Sequence, residues 1–305
     1  MTTTPILIIG SGAMASLFAA HLAISRQPVL MYDTWVDAVN TISQNGIQLT
    51  TPSGEKISVA VPITNTLKAV PPVQYALVLV KSWQTPASAH YLQRVLKDNG
   101  IALTLQNGLG NLETLEQALG CQRCTAGVVT LGAHLTAPGV VRQSGQAELA
   151  IGNHSRLQDF PQMLTDAGFA VSVQDNLESL LWGKLVVNAA VNPITALLNI
   201  PNGALLENPA AFHLMQRIIN EIDNVTARLK IQLPCPCAAD HVIQVIQNTA
   251  GNVSSMLQDL RNNRPTEIDA INGAVVQYAQ QTGVSVPVNE TLVQLIHARE
   301  TASNG

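Results

Sequence analysis

Apolar positions fall into two textures along this chain. In the first part they form short continuous runs of β type: Ile6–Ile9, Val29–Tyr32, Tyr75–Val80 and Ile101–Leu105. Unbroken runs of this kind suit strands buried on both faces of a parallel sheet. Gly10-Ser11-Gly12-Ala13-Met14-Ala15 and a helical stretch to about Ser25 lie between the first two runs. Ile47–Thr51 and Ile57–Val61, joined through Pro52-Ser53-Gly54-Glu55, predict a hairpin. From Ala126 to Gly152 the segments VVTLGAHL, VVR and ELAI predict three strands, separated by Pro-Gly and Ser-Gly turns. A helix near Leu157–Ala167 and a strand over Ala170–Val173 follow. Beyond Asp175-Asn176 strand signals vanish and long helical patterns take over, which places a domain boundary near residue 176. The expectation is an α/β domain over 1–176 and an all-helical domain over 177–305.

The strand–turn–helix–strand context gives the glycine motif its meaning. Gly10 permits a tight turn, and Gly12 lets a pyrophosphate approach the backbone. Ala15 is small enough for close helix–strand packing, and the phosphates rest on the helix N-terminus around Ser11, Ala13 and Met14. Asp33 ends the second strand, 21 residues after Gly12. A carboxylate there accepts hydrogen bonds from the adenosine ribose and repels a 2′-phosphate, so the cofactor is NAD(H) or NADP(H) with a lean to NAD. A helix cap for the segment beginning at Trp35 is the ordinary alternative. Lys81 and Asn107 each follow an apolar strand, at the edge where ligands of open α/β sheets bind. A solvated lysine and an Asn-Gly turn are the plain readings of these two.

The helical half holds the most informative stretch, LWGKLVVNAAVNPITALLNIPNG over Leu181–Gly203. Lys184, Asn188 and Asn192 are spaced i, i+4 and i+8. Each such step turns about 40° and rises about 6 Å, so the three line one helix face. Their neighbours are almost all apolar, which assigns the helix to a protein interior. A buried ammonium needs compensation, and a cation is a poor filler for a stripe that is only structural. Polar groups satisfied by neighbouring helices are the competing reading. Pro193 removes a backbone donor and predicts a kink or break near Asn192. Further on, Asn252 to Asp259 carries small polar groups at helical spacing. Thr266-Glu267-Ile268-Asp269 opens a helix ending at Gly283, with Thr266 and Asp269 as its cap.

Composition narrows the function class. Of 305 residues, 47% are apolar and 12% charged, ample for a buried core. The net charge of −4 and the absence of a basic cluster exclude a nucleic-acid surface. Residues 5–24 are apolar enough to suggest a leader or membrane span, but no basic side chain precedes them and Gly10-Ser11-Gly12 interrupts them. The expectation is a soluble cytoplasmic protein without a membrane partner. Cys121/Cys124 and Cys235/Cys237 read as free thiols, and His90, His134, His154, His213, His241 and His297 lack ligand spacing, so no metal site is expected.

Together GSGAMA, VKSWQ, LQNGLGN, LWGKLVVNAAVNPITALLNIPNG and SSMLQDLRNNRPTEIDAING resemble the ketopantoate reductase (2-dehydropantoate 2-reductase) family over nearly the whole chain. The resemblance implies a Rossmann-type domain followed by an all-α domain of the 6-phosphogluconate dehydrogenase C-terminal type, with the active site in the cleft between them. It implies reduction of ketopantoate to (R)-pantoate, on the route to pantothenate and coenzyme A. The family's catalytic lysine falls on Lys184. Its substrate-binding positions fall on Asn188, Asn192, Asn202, Asn252 and Ser255. Cofactor contacts fall on Lys81, Asn107 and Ala133, and the glutamate near cofactor and substrate on Glu267. Many members carry an arginine after the second strand for the 2′-phosphate of NADP; here Thr34 follows Asp33, which agrees with the lean to NAD.

In this reading Lys184 stabilises charge on the ketone oxygen and then protonates it. Glu267 orients the lysine or binds substrate or ribose hydroxyls. The alternatives are a related 2-keto-acid or 3-hydroxy-acid dehydrogenase with another substrate, and a non-catalytic NAD sensor, which would have no need of a buried lysine. An apolar helical domain is compatible with a homodimer.

Overall fold

A computed structural model of the chain describes residues 4–302. It divides into two compact units, Met1–Gln106 with Asn111–Leu177, and Asn107–Gly110 with Glu178–Gly305. The first unit is built on a ten-stranded sheet. Its strands are β1 (Ile6–Ile9), β2 (Val29–Tyr32), β3 (Ile47–Thr50), β4 (Lys56–Val59), β5 (Ile63–Thr64), β6 (Val73–Val78), β7 (Leu96–Thr104), β8 (Cys124–Ala137), β9 (Val140–Gly152) and β10 (Ala170–Gln174). Their order is β4-β3-β9-β8-β7-β6-β1-β2-β5, with β10 added on β9. The strands from β5 to β8 pair in parallel. Helices α1 (Ala13–Ile24), α2 (Val36–Asn45), α3 (Thr85–Val95), α4 (Asn111–Leu119) and α5 (Phe160–Asp166) complete the unit.

Strand β1 explains the two-faced core. Ile6 and Ile8 join one apolar cluster with Leu17 and Phe18 of α1, while Leu7 and Ile9 join another with Ala89 and Leu92 of α3. Alternate side chains of an extended strand point to opposite faces, so an unbroken apolar run is what a doubly covered strand requires. This is the Rossmann-type arrangement expected from the sequence, and residues 5–24 form its first strand, turn and helix.

One expectation is corrected here. Ser144-Gly145 is not a turn: β9 runs through it as one strand. The register of the β8–β9 pair passes from Thr130↔Glu148 to Gly132↔Ser144, so β9 carries extra residues at this point. Gly145, at φ +78°, absorbs them as a bulge.

The second unit is helical: α6 (Glu178–Leu198), α7 (Ala204–Glu207), α8 (Pro209–Leu229), α9 (Ala238–Asn248), α10 (Ser255–Arg261), α11 (Ala274–Thr282) and α12 (Pro287–Ala302), with a π turn over Asp269–Gly273. Helix α6 packs against α8, α9, α10 and α12. Among the described residues it is the one helix long and apolar enough to cross a membrane by length and composition. In this structure 67% of its most apolar stretch is buried inside the protein, as for the central helix of a globular unit.

Two further expectations change. Of the kink or break expected near Asn192, the break does not occur; α6 continues through Pro193 to Leu198. Pro193 strips the Ala189 carbonyl of its helical donor, and the side chain of Asn272 supplies one at 3.1 Å. The segment from Thr266 does not open as an α-helix capped by Asp269. Gly273 donates five residues back to the Ile268 carbonyl at 2.9 Å, which makes the turn π-type. The Thr266 hydroxyl accepts from Ile268 N–H at 3.2 Å, and Asp269 faces His297 at 3.0 Å instead of folding back.

Gly183 marks the closest approach of α6 to a neighbour. A Cβ there would lie 2.5 Å from Cγ of Pro234. Gly183→Ala is therefore expected to destabilise the protein by about 1–3 kcal/mol, although alanine is the better helix former. Thermal melts check this, and Pro234→Ala in the same chain should recover most of the loss.

Candidate active site

In the first unit the glycine turn follows β1. Gly10 sits at φ +116°, and a Cβ there would press on the Leu79 carbonyl at 3.1 Å. Leu79 N–H donates to Ile9 O at 3.0 Å, so the chain leading to Lys81 runs beside this turn. Gly12 has an ordinary backbone conformation, φ −67° and ψ −173°, and a Cβ there would meet nothing within 4 Å. Neither its conformation nor the internal packing calls for glycine. The open backbone leaves room for a pyrophosphate on the first turn of α1. Ala13 and Met14 are partly buried in that turn. Ala15 is fully buried against the sheet.

Asp33 makes two local hydrogen bonds, one of them the capping contact that is the ordinary reading of this residue. Its Oδ1 accepts from Trp35 N–H at 3.0 Å, ahead of α2, and its Oδ2 accepts from the buried Ser11 hydroxyl at 2.5 Å. Each carboxylate oxygen can accept two hydrogen bonds, so capacity for a ribose hydroxyl remains. Ala133 lies on β8, three strands from β1 in the sheet order, and packs against the same apolar cluster as Met14. Sequence reasoning passed over Gln106. Its amide donates to the Val80 carbonyl at 2.9 Å and to Thr85 at 2.8 Å, bracing the strand end that carries Lys81. A glutamine after an apolar strand offers no distinctive signal.

In the second unit Asn107, Lys184 and Glu267 form one polar group. Asn107 belongs with this unit by its contacts, and its amide donates to Glu267 Oε2 at 3.1 Å. The neighbouring Leu109 N–H donates to the Ala270 carbonyl at 2.8 Å. Gly108, at φ +81°, is required between them: a Cβ would collide with the Ala270 backbone. Glu267 is buried, and Lys184 is partly buried on α6. Burial, the larger effect, draws the Lys184 amine from its ordinary 10.5 down to about 8, and the Glu267 carboxylate pulls it back up. Such an amine sheds and regains a proton near neutral pH.

Asn188 is partly buried and Asn192 is 6% exposed, on the Lys184 face of α6. Asn202 N–H donates to the Asn252 carbonyl at 3.0 Å, and its side-chain amide donates to Thr249 at 3.1 Å. Its Oδ1 is buried and has no partner among the described residues. Asn252 and Ser255 are exposed. The adjacent Ser254 is the buried one: it caps α10 through Leu257 N–H at 3.2 Å and accepts from Thr195 at 2.8 Å. Among the described residues no cluster of three His, Cys, Asp or Glu could hold a metal ion. The cysteines are free thiols, and burial pushes Cys124 up to about 12.

The family model described as Ketopantoate reductase PanE/ApbA matches residues 6–156, and that described as Ketopantoate reductase PanE/ApbA C terminal matches residues 176–300. The 2-dehydropantoate 2-reductase of Halobacterium salinarum is 30% identical over 296 residues, covering 95% of this chain and 97% of its own. That of Pyrobaculum aerophilum is 36% identical over 236 residues, 76% of this chain and 79% of its own. Two solved structures each align over 99% of this chain and 100% of their own, with TM-score 0.92 and 28% identity. One is a PanE/ApbA family ketopantoate reductase from Ralstonia eutropha; the other is D-mandelate dehydrogenase with NADH and anilino(oxo)acetate.

The depressed Lys184 amine has a consequence for stability. The folded state releases this proton near pH 8, whereas the unfolded chain holds it to about 10.5, so stability rises with pH across that window. Relative to Lys184→Met, the wild type should gain on the order of 2 kcal/mol between pH 8 and 10.5. Paired denaturant melts read this directly; a constant difference would mean an ordinary, solvated lysine.

Proposed function

The chain belongs to the ketopantoate reductase family and is an oxidoreductase, and from that premise we propose that it reduces the 2-ketone of ketopantoate to (R)-pantoate with a nicotinamide dinucleotide. The observation that carries this reading is Lys184, an ammonium on an apolar helix whose proton is labile near neutral pH. When bound, a reduced nicotinamide supplies the hydride. As the ketone carbon accepts it, negative charge gathers on the carbonyl oxygen. Lys184 holds that charge and delivers its proton there, leaving the alcohol and a neutral amine that water reprotonates. Glu267, held by Asn107, keeps the ammonium in place between turnovers. Asn188 and Asn192 on the same helix face, with Asn202, Asn252 and Ser255, hold the substrate carboxylate and hydroxyl and fix which carbonyl face is presented.

The cofactor proposed is NADH. Asp33 follows β2 with its carboxylate beside the glycine turn through Ser11, and a negative group there opposes a 2′-phosphate. Lys81 and Ala133 complete the cofactor side of the first unit. The protein is proposed to act in the cytoplasm, supplying pantoate for pantothenate and coenzyme A. A different 2-keto acid is the second reading, favoured by the equal likeness to D-mandelate dehydrogenase, whose structure holds NADH and anilino(oxo)acetate.

One assay decides between them: nicotinamide oxidation followed with ketopantoate and with an aryl 2-keto acid, using NADH and NADPH in turn. Oxidation only with the aryl acid selects the second reading, and none with any 2-keto acid refutes both. Lys184→Ala should lower kcat about 10²–10⁴-fold while NADH binding changes less than about twofold. Reduction needs the protonated amine, so its rate should fall as pH rises through about 8, and the reverse oxidation should rise through the same midpoint. Asp33→Ser should narrow the preference for NADH over NADPH by about tenfold, read as the ratio of kcat/KM values.

A further inference from the structure

We propose that Asn272 is a positioning residue for this reaction: its side-chain amide takes the α6 carbonyl that Pro193 leaves without a donor, and so ties the turn bearing Glu267 to the helix bearing Lys184, Asn188 and Asn192. The proposal rests on the reading of Lys184 and Glu267 given above.

In an uninterrupted α-helix residue 193 would donate to the carbonyl of Ala189. Proline has no N–H, and Ala189 is 0% exposed, so water is no substitute. A buried carbonyl left unpaired costs about 1–3 kcal/mol. Asn272, also 0% exposed, donates to it from Nδ2 at 3.1 Å. The second Nδ2 hydrogen goes to Asn289 Oδ1 at 3.0 Å, and Asn289 Nδ2 donates in turn to Glu221 Oε2 at 2.8 Å. The Glu221 carboxylate also accepts from the backbone N–H groups of Val288 at 2.9 Å and Asn289 at 3.0 Å.

This chain fixes the orientation of the Asn272 amide. Reversed, its oxygen would face two acceptors, Ala189 O and Asn289 Oδ1. In the observed orientation Oδ1 is buried with no partner among the described residues, a cost borne for the sake of the two donations. An alanine at 193 and apolar residues at 272 and 289 would leave neither the carbonyl nor an amide oxygen wanting. The chain keeps a local arrangement that helix formation alone would discard, and such departures mark functional sites.

The tie reaches the chemistry through one tight turn. Ile271 N–H donates to the Glu267 carbonyl at 3.1 Å and Gly273 N–H to the Ile268 carbonyl at 2.9 Å, so Glu267 and Asn272 move as parts of the same π turn. On its other flank the turn is held by Asn107 and Leu109. Ala189 adjoins Asn188 and lies five residues after Lys184. Asn272 therefore sets where the carboxylate stands relative to the ammonium and the asparagine face.

A double-variant experiment separates positioning from mere stability. Asn272→Ala should lower the melting temperature and cut kcat at least about tenfold, with KM for NADH within about twofold. Adding Pro193→Ala returns a backbone N–H to the Ala189 carbonyl. The double variant should regain part of the lost melting temperature, the Asn289 Oδ1 acceptor remaining unpaired, while kcat stays at the Asn272→Ala level, because the turn bearing Glu267 is still untied. Recovery of kcat along with stability would overturn the proposal, as would wild-type kcat in Asn272→Ala. If Asn272→Ala alone does not fold, the double variant is assayed by itself: folded and slow supports the proposal, while fast or unfolded overturns it. Turnover is read with whichever 2-keto acid the wild type reduces, so inactivity of the wild type on all of them refutes the functional reading, whereas a normal Asn272 variant refutes only this proposal.

Discussion

Keeping one ammonium partly out of water is the constraint around which the helical unit is arranged. An isolated charge in an apolar setting is expensive, and proteins meet that expense with an opposite charge, with hydrogen bonds or with loss of the proton. Lys184 uses the first and the last: Glu267 offsets part of the burial, and the remainder leaves the amine near pH 8. Glu267 is itself buried and must be held, which Asn107 does by hydrogen bond. The backbone beneath it is a π turn clasped by Leu109 on one side and by Asn272 on the other. The apolar residues of α6 are then more than core filling. They are the medium that makes the lysine acidic enough to exchange its proton at the pH where the enzyme is proposed to work.

In the first unit the governing requirement is space. Gly10 is glycine because its backbone adopts φ +116° beside the Leu79 carbonyl, a demand made by the fold. Gly12 answers no such demand, having an ordinary backbone conformation and an open flank. Asp33 shows how one side chain holds two positions together: one oxygen organises the approach to α2, and the other fixes the Ser11 hydroxyl inside the glycine turn. The charge that would meet a ribose is thus locked to the loop that would meet the phosphates.

Much of this was legible in the sequence because it is local. The β1 run, the glycine turn and the Lys184–Asn188–Asn192 stripe declare themselves through spacing alone, and the structure has them as strand, turn and helix face. What escaped depends on partners distant in the chain. Ser144-Gly145 carries turn residues, yet the pairing of β9 with β8 on both sides of it keeps the strand going. Pro193 carries a helix-breaking signal, yet Asn272, 83 residues from Ala189, removes the reason to break. Asp269 has the right spacing for a cap, but His297 and the clasp on Ala270 draw the segment into another geometry. Ser254 and Ser255 are neighbours of one type, and only three-dimensional packing makes the first a buried cap and leaves the second exposed.

The most direct measurement of the central claim is the proton affinity of the Lys184 amine itself. Its rate of acylation by a small reagent, followed residue by residue with mass spectrometry across pH, yields the midpoint without any assumption about substrate. The account predicts a midpoint near 8, lowered further when Glu267 is replaced by glutamine. A midpoint at the ordinary lysine value of 10.5, unmoved by that replacement, would contradict it.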